Sequence, residues 1–185
     1  MRITDKHVFF WKEWPSNFKR APFIALLDDD YVVRHTTKNP VIEFFCTEQY
    51  FMWWKAVTFK DWEIAKQILA ADTPQETRRL GQRVRGYTDQ VWAPIREKIM
   101  FDGNFMKYSQ NPDLKAKLLN PDWADKHYVE ASPYDKIWAI GISWEDPACE
   151  DPKNWKGTNL LGKCLDNVRE CLLALAGNEH TRNKY

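Results

Sequence analysis

The sequence is poor in glycine and contains none of the glycine-rich motifs that bind nucleotides. Its 7 glycines are scattered over 185 residues, and neither G-x-G-x-x-G nor a P-loop occurs, which argues against the common phosphate-binding loops. H-E-x-x-H and G-x-S-x-G are also missing, and the 4 histidines lack metal-ligand spacing. We therefore expect neither a bound metal ion nor a cofactor.

A surplus of one charge and long apolar runs are lacking as well. The net charge of +1 provides no polyelectrolyte attraction to nucleic acid. No apolar stretch approaches the length of a membrane span, and the first residues, MRITDKHVFF, contain no signal-peptide core. The cysteines form neither a C-x-x-C pair nor a disulfide framework: Cys46, Cys149, Cys164 and Cys171. These features predict a cytoplasmic protein with reduced thiols and no membrane partner.

Aromatic residues, by contrast, are abundant, with 10 tryptophans in the chain. The length favours one domain, 1–185, with a substantial core. Strand-like runs occupy residues 7–11, 30–36, 127–130 and 137–142. Helical patterns fill most of residues 47–119, and we expect helices to begin at Thr47, Asp61, Thr73-Pro74, Asp89, Asn111-Pro112 and Thr158. The sequence therefore predicts a predominantly helical α+β fold in a single domain with a few short strands.

The stretch TEQYFMWWKA, residues 47–56, places two opposite charges in a helix that is otherwise largely apolar or aromatic. Glu48 and Lys55 are separated by about two helical turns, so they project from nearly one line, about 10 Å apart. Burying either charge is costly unless the charge is paired or used. A structural ion pair, separate partners or a solvated edge would explain these charges, and so would a catalytic site.

Other segments set polar residues among aromatic ones. WPSNF contains Ser16 and Asn17 in a turn-forming sequence, and Asp135 in SPYDKIW suits either a stabilised turn or a site. Trp92 and Trp138 suit either a core or a stacking wall. RRLGQRVR, residues 78–85, is typical of a solvated helix face but also suits phosphate binding. Residue types and spacing alone leave these alternatives open.

Seven motifs, in order, resemble those of the NADAR superfamily of YbiA-like N-glycosidases. They are FFWKEWPSNF (9–18), TEQYFMWWKA (47–56), LGQRV (80–84), VWAPIREKIM (91–100), KYSQNPDLKAKLL (107–119), VEASPYDKIWAIG (129–141) and WKGTNLLGKCLDNVRE (155–170). Each motif alone is weak, but together they span nearly the whole chain. The resemblance implies a mostly helical α+β domain that cleaves the bond between C1 of a ribose and a nitrogen. It implies two substrate classes: phosphoribosylamino-pyrimidine intermediates of riboflavin synthesis, and ADP-ribose attached to guanine in DNA or RNA.

The same resemblance assigns functional residues motif by motif. Catalytic roles fall on Glu48, Lys55 and Asp135. Substrate-binding roles fall on Trp11, Ser16, Asn17, Phe18, Gly81, Arg83, Trp92 and Trp138.

Two departures from the family pattern bear on the substrate. Gly81-Gln82 replaces a glycine–arginine pair, with Arg83 next in the chain, and Trp138-Ala139 replaces a tryptophan–glycine pair before a longer loop. The identity of the substrate therefore does not transfer together with the fold.

The bond to be broken defines what these residues would do. Cleavage of an N-riboside builds positive charge on C1 and the ring oxygen. One carboxylate stabilises that charge, and a second carboxyl group protonates the departing nitrogen or activates water. Glu48 and Asp135 suit these roles in either order, and Trp92 with Trp138 suits a wall against the flat base. A desolvated Lys55 suits a Schiff base with the ring-opened sugar, or stays charged and binds phosphate or orients Glu48.

The arginines bear on the choice between substrates. At helical spacing Arg78, Arg79 and Arg85 share one side, and Arg83 lies on another, toward the expected pocket. One inward arginine suits the terminal phosphate or pyrophosphate of either substrate, and the near-neutral net charge favours the small ribosyl nucleotide over modified nucleic acid. A protein of another class, which binds ADP-ribose or a related nucleotide without cleaving it, is a further alternative.

Overall fold

The computed structural model describes residues 1–182, and packing divides them into two compact units. The first unit contains residues 1–16 and the described residues from 112 on, and the second contains residues 17–111. The strands are β1 (Arg2–Ile3), β2 (His7–Phe10), β3 (Phe23–Leu26), β4 (Val41–Phe44) and β5 (His127–Glu130). The helices are α1 (Asp30–Thr36), α2 (Thr47–Thr58), α3 (Trp62–Ala70), α4 (Pro74–Gly81), α5 (Asp89–Gln110), α6 (Pro112–Leu118) and α7 (Leu160–Arg182). This is the predicted α+β fold with a majority of helix, while a single domain over 1–185 stays a prediction.

The first unit is built on a three-stranded sheet in the order β1-β2-β5. β2 runs antiparallel to β1 and parallel to β5, with Phe10 opposite Glu130. All residues of β2 are buried, as expected for a central strand that is covered on both faces. Because β2 and β5 are parallel, the segments that begin at residues 11 and 131 leave the sheet at the same edge.

Strand β1 holds in place the loop that follows Trp138, which is longer than in the family pattern. Two short 3-10 turns, Pro147–Glu150 and Pro152–Asn154, fold the proline- and aspartate-rich sequence of this loop. The Arg2 guanidinium forms an ion pair with Glu150 and donates a hydrogen bond to the Trp144 carbonyl at 3.1 Å. The loop that departs from the family pattern is therefore an ordered part of this unit.

Helix α2 is the central element of the second unit. It packs against α3, α4, α5 and β4, and it buries most of its own surface. Its apolar residues join the core of this unit, which includes Phe23, Phe44, Tyr50, Trp53, Ala56, Val57, Ile64, Ile68 and Leu80. The antiparallel pair of β3 and β4 closes the unit beside this helix.

Two stretches predicted as strands are not strands. Residues 30–36 form α1, because Asp29 Oδ1 accepts the Val32 N–H at 3.1 Å and thereby satisfies an amide of the first helical turn. Residues 137–142 form a series of bends. Gly141 has a φ of 69°, which an extended strand does not allow.

Most of the predicted helix starts agree with the structure. Asp61 and Thr73 are the N-caps of α3 and α4, α5 begins at Asp89, and α6 begins directly after Asn111. No helix within residues 1–182 combines enough length with enough apolar character to cross a membrane.

One helix start was predicted at the wrong residue, whereas α2 begins at Thr47 as expected. Cys46 occupies the N-cap position of α2 without a side-chain hydrogen bond. The last helix begins at Leu160, not at Thr158. Asn159 between them has a φ of 53°, a left-handed conformation that cannot belong to the helix.

A buried carboxylate joins the start of α3 to the segment after α4. Asp61 accepts the Ile64 N–H at 3.4 Å as the cap of α3, and it also accepts three hydrogen bonds from Arg85: from the backbone N–H at 2.9 Å, from Nε at 3.0 Å and from Nη2 at 2.5 Å. The Asp61 side chain is 1% exposed. These bonds favour the ionised carboxylate, and the pKa of Asp61 is lowered to about 2.

We expect Asp61→Asn to lower the free energy of unfolding by about 1–2 kcal/mol at neutral pH, since a capping oxygen remains but the charge-assisted bonds are lost. The pKa of Asp61 is lower in the folded than in the unfolded protein. The stabilisation is therefore complete above about pH 4 and is lost as the pH falls toward about 2. Denaturant unfolding of the variant and wild type across this range measures it. Asp72→Asn, at an exposed carboxylate, is the control, and a difference that does not depend on pH would contradict the role of the charge.

Candidate active site

Helix α2 positions both charges that the sequence singled out. Glu48 in its first turn is 5% exposed, and Lys55 in its last turn is half-buried. The aromatic residues between them pack into the core of the second unit, which fixes the rotation of the helix. A partly buried carboxylate and a partly buried ammonium are therefore held on a rigid element, as a catalytic site requires.

The first turn of α2 is anchored by a network of buried amides. The Glu48 N–H donates to the Asn17 carbonyl at 3.1 Å. The Asn17 side chain reaches α5, where its Nδ2 donates to Met100 Sδ at 3.1 Å and its Oδ1 accepts from Asn104 Nδ2 at 3.3 Å. Asn17, predicted to bind substrate, thus fixes the backbone that carries Glu48.

The Lys55 ammonium lies over an aromatic ring. Nζ is 4.1 Å from the centroid of the Tyr87 ring. Among the residues that the structure describes, this ammonium makes no hydrogen bond and no ion pair. Burial lowers the pKa of Lys55, and the charge of Glu48 opposes the shift. A contact ion pair between Glu48 and Lys55 therefore does not explain the two charges.

The basic segment 78–85 is not one helix face, contrary to the prediction. Helix α4 ends at Gly81, with Gln82 as its C-cap, so helical spacing does not set the directions of Arg83 and Arg85. The Arg83 side chain is exposed, and the Arg85 guanidinium is bound to Asp61. The grouping of Arg85 with Arg78 and Arg79 was therefore wrong, and so was the argument that turned Arg83 toward a pocket.

Two other predicted binding residues have packing contacts. A Cβ at Gly81 would lie 2.1 Å from Met52 Sδ, so glycine allows the close approach of α4 to α2. The Phe18 ring lies 5.8 Å from the Arg78 guanidinium carbon. These contacts give both residues structural roles, and their contact with substrate stays a prediction.

Trp92 has the surroundings of a core residue. It is 4% exposed, and its ring centroid lies 5.1 Å from that of Phe51 on α2, with the planes tilted by 55°. Such tilted aromatic pairs stabilise a core by more than the buried area alone. Stacking of Trp92 on a base stays a prediction.

In the first unit, the edge of the sheet brings two predicted motifs together. Trp11 directly follows β2, and its ring centroid lies 5.8 Å from that of Tyr134 in the segment after β5. The Lys12 ammonium lies 4.2 Å from the centroid of the Trp11 ring. The Glu13 carboxylate accepts the Trp11 N–H at 2.9 Å, and the N–H of buried Ser16 donates to the Glu13 carbonyl at 3.0 Å. Trp11 and Ser16 thus belong to one compact turn.

Asp135 closes a turn in the same region. Its Oδ1 accepts the N–H groups of Ile137 and Trp138, both at 2.8 Å, so the turn-stabilising explanation holds. Its Oδ2 has no hydrogen-bond partner within the part of the chain that the structure describes, which leaves one oxygen for a ligand. The half-buried Trp138 is fixed by this turn. Glu48 and Asp135 belong to different units.

Two residues with functional character escaped the sequence analysis. Lys107 on α5 is fully buried. Burial is the main cause that raises the pKa of the Cys46 thiol to about 12; the charge of Glu48 also raises this pKa, and the charge of Lys107 opposes the shift. Lys107 shares a helix face with Met100 and Asn104, so its burial follows from the helical period. The contact of Tyr87 with Lys55 has no sequence signal, because it joins a loop to a helix.

Among the residues whose side chains the structure describes, no group of three or more His, Cys, Asp or Glu residues is arranged to hold a metal ion. The candidate site contains carboxylates, lysines and aromatic rings.

The fold is that of a YbiA-like α+β protein. The NMR structure of the E. coli protein YbiA matches with a TM-score of 0.67 and 25% identity, over 97% of this chain and 91% of that one. The chain belongs to the NADAR family, because the NADAR domain model matches residues 9–173. The family predicted from the motifs is thereby confirmed.

Two relatives have still higher sequence identity. Protein irg-1 of Caenorhabditis elegans is 38% identical over 85% of this chain and 72% of its own length. N-glycosidase R617 of Acanthamoeba polyphaga mimivirus is 34% identical over 90% of this chain and 96% of its own. The latter name agrees with the prediction of a hydrolase that acts on N-glycosyl bonds.

We expect Trp92→Ala to lower the free energy of unfolding by about 3–5 kcal/mol, the usual loss for a buried tryptophan. If the ring also stacks on a base, substrate binding by the folded fraction should weaken by about 1–3 kcal/mol. Thermal melting and equilibrium binding measure the two effects separately. Tyr134→Ala, at a ring that is 84% exposed, is the control for stability. Unchanged affinity with a large loss of stability would show that Trp92 is only a core residue.

Proposed function

We propose that this protein is an N-glycosidase that hydrolyses the bond between ribose C1 and the amine nitrogen of phosphoribosylamino-pyrimidines, intermediates of riboflavin biosynthesis. One observation carries the proposal: a buried Glu48 shares α2 with a half-buried Lys55 that has no ion pair among the described residues. Partial loss of hydration makes such a lysine costly. A site that uses the amine or its charge gives a reason to retain it.

Glu48 is suited to the charge that develops in this reaction. Departure of the amine leaves an oxocarbenium-like sugar with positive charge on C1 and the ring oxygen. A buried carboxylate that is already oriented stabilises this charge without reorganisation of water. The hydrogen bond from the Glu48 N–H to Asn17 fixes the backbone behind that carboxylate. We assign electrostatic stabilisation of the cation to Glu48.

The role of the second carboxyl group is assigned to Asp135 from the family motif alone. Its Oδ1 is occupied by the backbone of its own turn, which orients the group. Its Oδ2 is the oxygen that could protonate the departing nitrogen or activate water. The aromatic pair of Trp11 and Tyr134 lies in the same unit and is suited to contact a flat base.

Lys55 has two routes to a role. In the covalent route, the sugar ring opens to an imine, the neutral Lys55 amine adds to C1, and the protonated base amine leaves. Water then hydrolyses the Lys55 imine, which releases the sugar aldehyde and restores the amine. In the other route, the charged Lys55 binds the phosphate or orients Glu48. The lowered pKa of Lys55, caused mainly by burial, supports the covalent route because it increases the neutral fraction.

The choice of substrate is supported by a weaker similarity. The chloroplastic riboflavin biosynthesis protein PYRR of Arabidopsis thaliana is 26% identical over 60% of this chain, which corresponds to 17% of PYRR. Its name connects that whole protein with riboflavin biosynthesis. The net charge of +1 also favours a small substrate over a nucleic acid.

A second candidate function is the removal of ADP-ribose from guanine in DNA or RNA. It is favoured by the exposed arginines Arg78, Arg79 and Arg83, which lie within six residues of sequence. Only Arg79 has a carboxylate partner among the described residues, Glu76 at 3.8 Å. Exposed arginines of this kind suit the phosphates that flank a modified base.

We expect Glu48→Gln and Lys55→Met each to lower kcat by about 100-fold or more while the fold is retained, because each removes a preorganised charge or nucleophile. Hydrolysis of a phosphoribosylamino-pyrimidine and of ADP-ribosylated guanosine is followed by product mass. Glu43→Gln and Lys66→Met, at exposed positions of the same unit, are the matched controls. Near-wild-type turnover by Glu48→Gln would remove Glu48 from the chemistry.

The same samples separate the remaining alternatives. Borohydride added during turnover should leave a stable sugar adduct on Lys55, detected by intact and peptide mass, and absent from Lys55→Met. No adduct, or an adduct that survives in this variant, would exclude the covalent route. Tight binding of either compound by the wild type without turnover would identify a nucleotide-binding protein rather than an enzyme.

We expect the double variant R78Q/R79Q to hydrolyse a phosphoribosylamino-pyrimidine at the wild-type rate, since these two exposed arginines are not among the residues assigned to substrate binding. If modified nucleic acid is the substrate, the variant should lose activity on an ADP-ribosylated oligonucleotide but not on the modified nucleoside, with a weaker salt dependence. The measurement is kcat/KM for both lengths at two salt concentrations. Arg85 is left intact because it stabilises Asp61. Loss confined to the oligonucleotide would overturn the preference for the small molecule.

A further inference from the structure

Tyr87 lies between α4 and α5, and it is held there by contacts on two sides. Its ring packs against Phe59 at the end of α2, with centroids 5.5 Å apart. Its hydroxyl donates to Asp89 Oδ1 at 3.0 Å, and Arg96 Nη1 lies 3.4 Å from the same oxygen. The ring is 41% exposed and faces the Lys55 ammonium at 4.1 Å. Tyr87, a loop residue, is thus fixed over Lys55, the amine that reacts in the proposed covalent route.

We propose that Tyr87 is a positioning residue for Lys55, and that its ring holds the lysine as a charged, unreactive ammonium in the ligand-free protein. The inference rests on the proposed function, because it concerns the readiness of Lys55 to react. The face of an aromatic ring attracts an ammonium, but it has no such attraction for the neutral amine. The ring therefore acts against the burial that favours the neutral form.

The other charges near this contact are accounted for. On α2 itself, the Glu48 carboxylate raises the pKa of Lys55, although burial has the larger effect and lowers it. On the adjoining segments, Asp61 is bound to Arg85, and Asp89 is bound to Tyr87 and Arg96. Within the described residues, the Tyr87 ring is consequently the one partner with which the Lys55 ammonium makes a cation–π, hydrogen-bond or ion-pair contact.

The test is the reactivity of Lys55 in two variants of the whole protein. Trace acetylation is measured from about pH 7 to 11, a range that brackets the ordinary lysine pKa, and is read by mass on the peptide that contains Lys55. Tyr87→Leu keeps an apolar side chain but removes the ring face. It should lower the pKa of Lys55 by about half a unit, so that Lys55 is acetylated about threefold faster near neutral pH. Tyr87→Phe keeps the face and should leave the pKa of Lys55 within about 0.2 units of wild type.

The opposite sign would overturn the proposal. If Tyr87 served only to bury Lys55, its replacement by leucine would admit water and raise the pKa of Lys55 toward the ordinary value. An unchanged pKa in Tyr87→Leu would equally exclude the assignment. Circular dichroism shows whether each variant is folded. Tyr87→Met, which also lacks a ring, replaces Tyr87→Leu if the latter is not folded, with the same expected result.

The measurement needs no substrate, so its outcome is separate from that of the proposed function. A lowered pKa of Lys55 in Tyr87→Leu supports the role of Tyr87 even if wild-type protein cleaves no N-riboside. Turnover by the wild type together with an unchanged pKa of Lys55 would refute the role of Tyr87 and leave the glycosidase intact.

Discussion

The structure of the second unit depends on the burial of charged side chains in helix α2, which has little contact with water. Helix α2 packs on α3, α4, α5 and β4, so each charge that it carries has lost part of its hydration. The Glu48 N–H donates to the Asn17 carbonyl, and the Asn17 side chain accepts a hydrogen bond from Asn104. The Lys55 ammonium lies over the Tyr87 ring. A low local dielectric strengthens every remaining electrostatic interaction. The aromatic packing that makes these charges costly to bury therefore also strengthens any electrostatic interaction that they make with a ligand.

The first unit obeys a different constraint, the parallel pairing of β2 with β5. Parallel neighbours put their carboxyl ends at one edge of the sheet, and in open sheets that edge is the usual place for ligand-binding segments. Here it brings Trp11 beside Tyr134 and orders the turn of Asp135. The two motifs FFWKEWPSNF and VEASPYDKIWAIG each contain such a strand and the segment that follows it, which explains why strand and loop residues recur together in one motif.

The sequence predicted the helical part of the fold well, because caps and prolines are local signals. Asp61 and Thr73 act on amides three residues away, so each capping signal lies beside the helix that it begins. Residues 30–36 were misjudged because valines favour strands, whereas the Val32 N–H donates a capping hydrogen bond to Asp29 that favours the helix. The end of α4 at Gly81 also escaped prediction. It places Arg78 and Arg79 on the helix, whereas Arg83 and Arg85 lie beyond it.

At the candidate site, the charges could be identified from the sequence, but their surroundings could not. Glu48 and Lys55 stood out as charges in an aromatic helix, and their partial burial agrees with that reading. Tyr87 and Lys107 were missed, because what matters about them is a contact with another element. Family motifs identified Asp135, yet only the structure showed that one of its oxygens is committed to the turn.

The parallel pairing also has a consequence for the order of folding. The Lys126 ammonium donates to the Asp5 carbonyl across a sequence separation of 121 residues, beside the register that places His127 opposite His7. The second unit is one continuous stretch of chain, whereas the first combines residues 1–16 with the described residues from 112 on. Closing so long a loop in an unfolded chain is entropically unfavourable, and non-local strand pairing is slow. Compaction of residues 17–111 shortens that loop. We therefore expect the sheet that leads into Trp11 and Asp135 to form after the second unit has become compact.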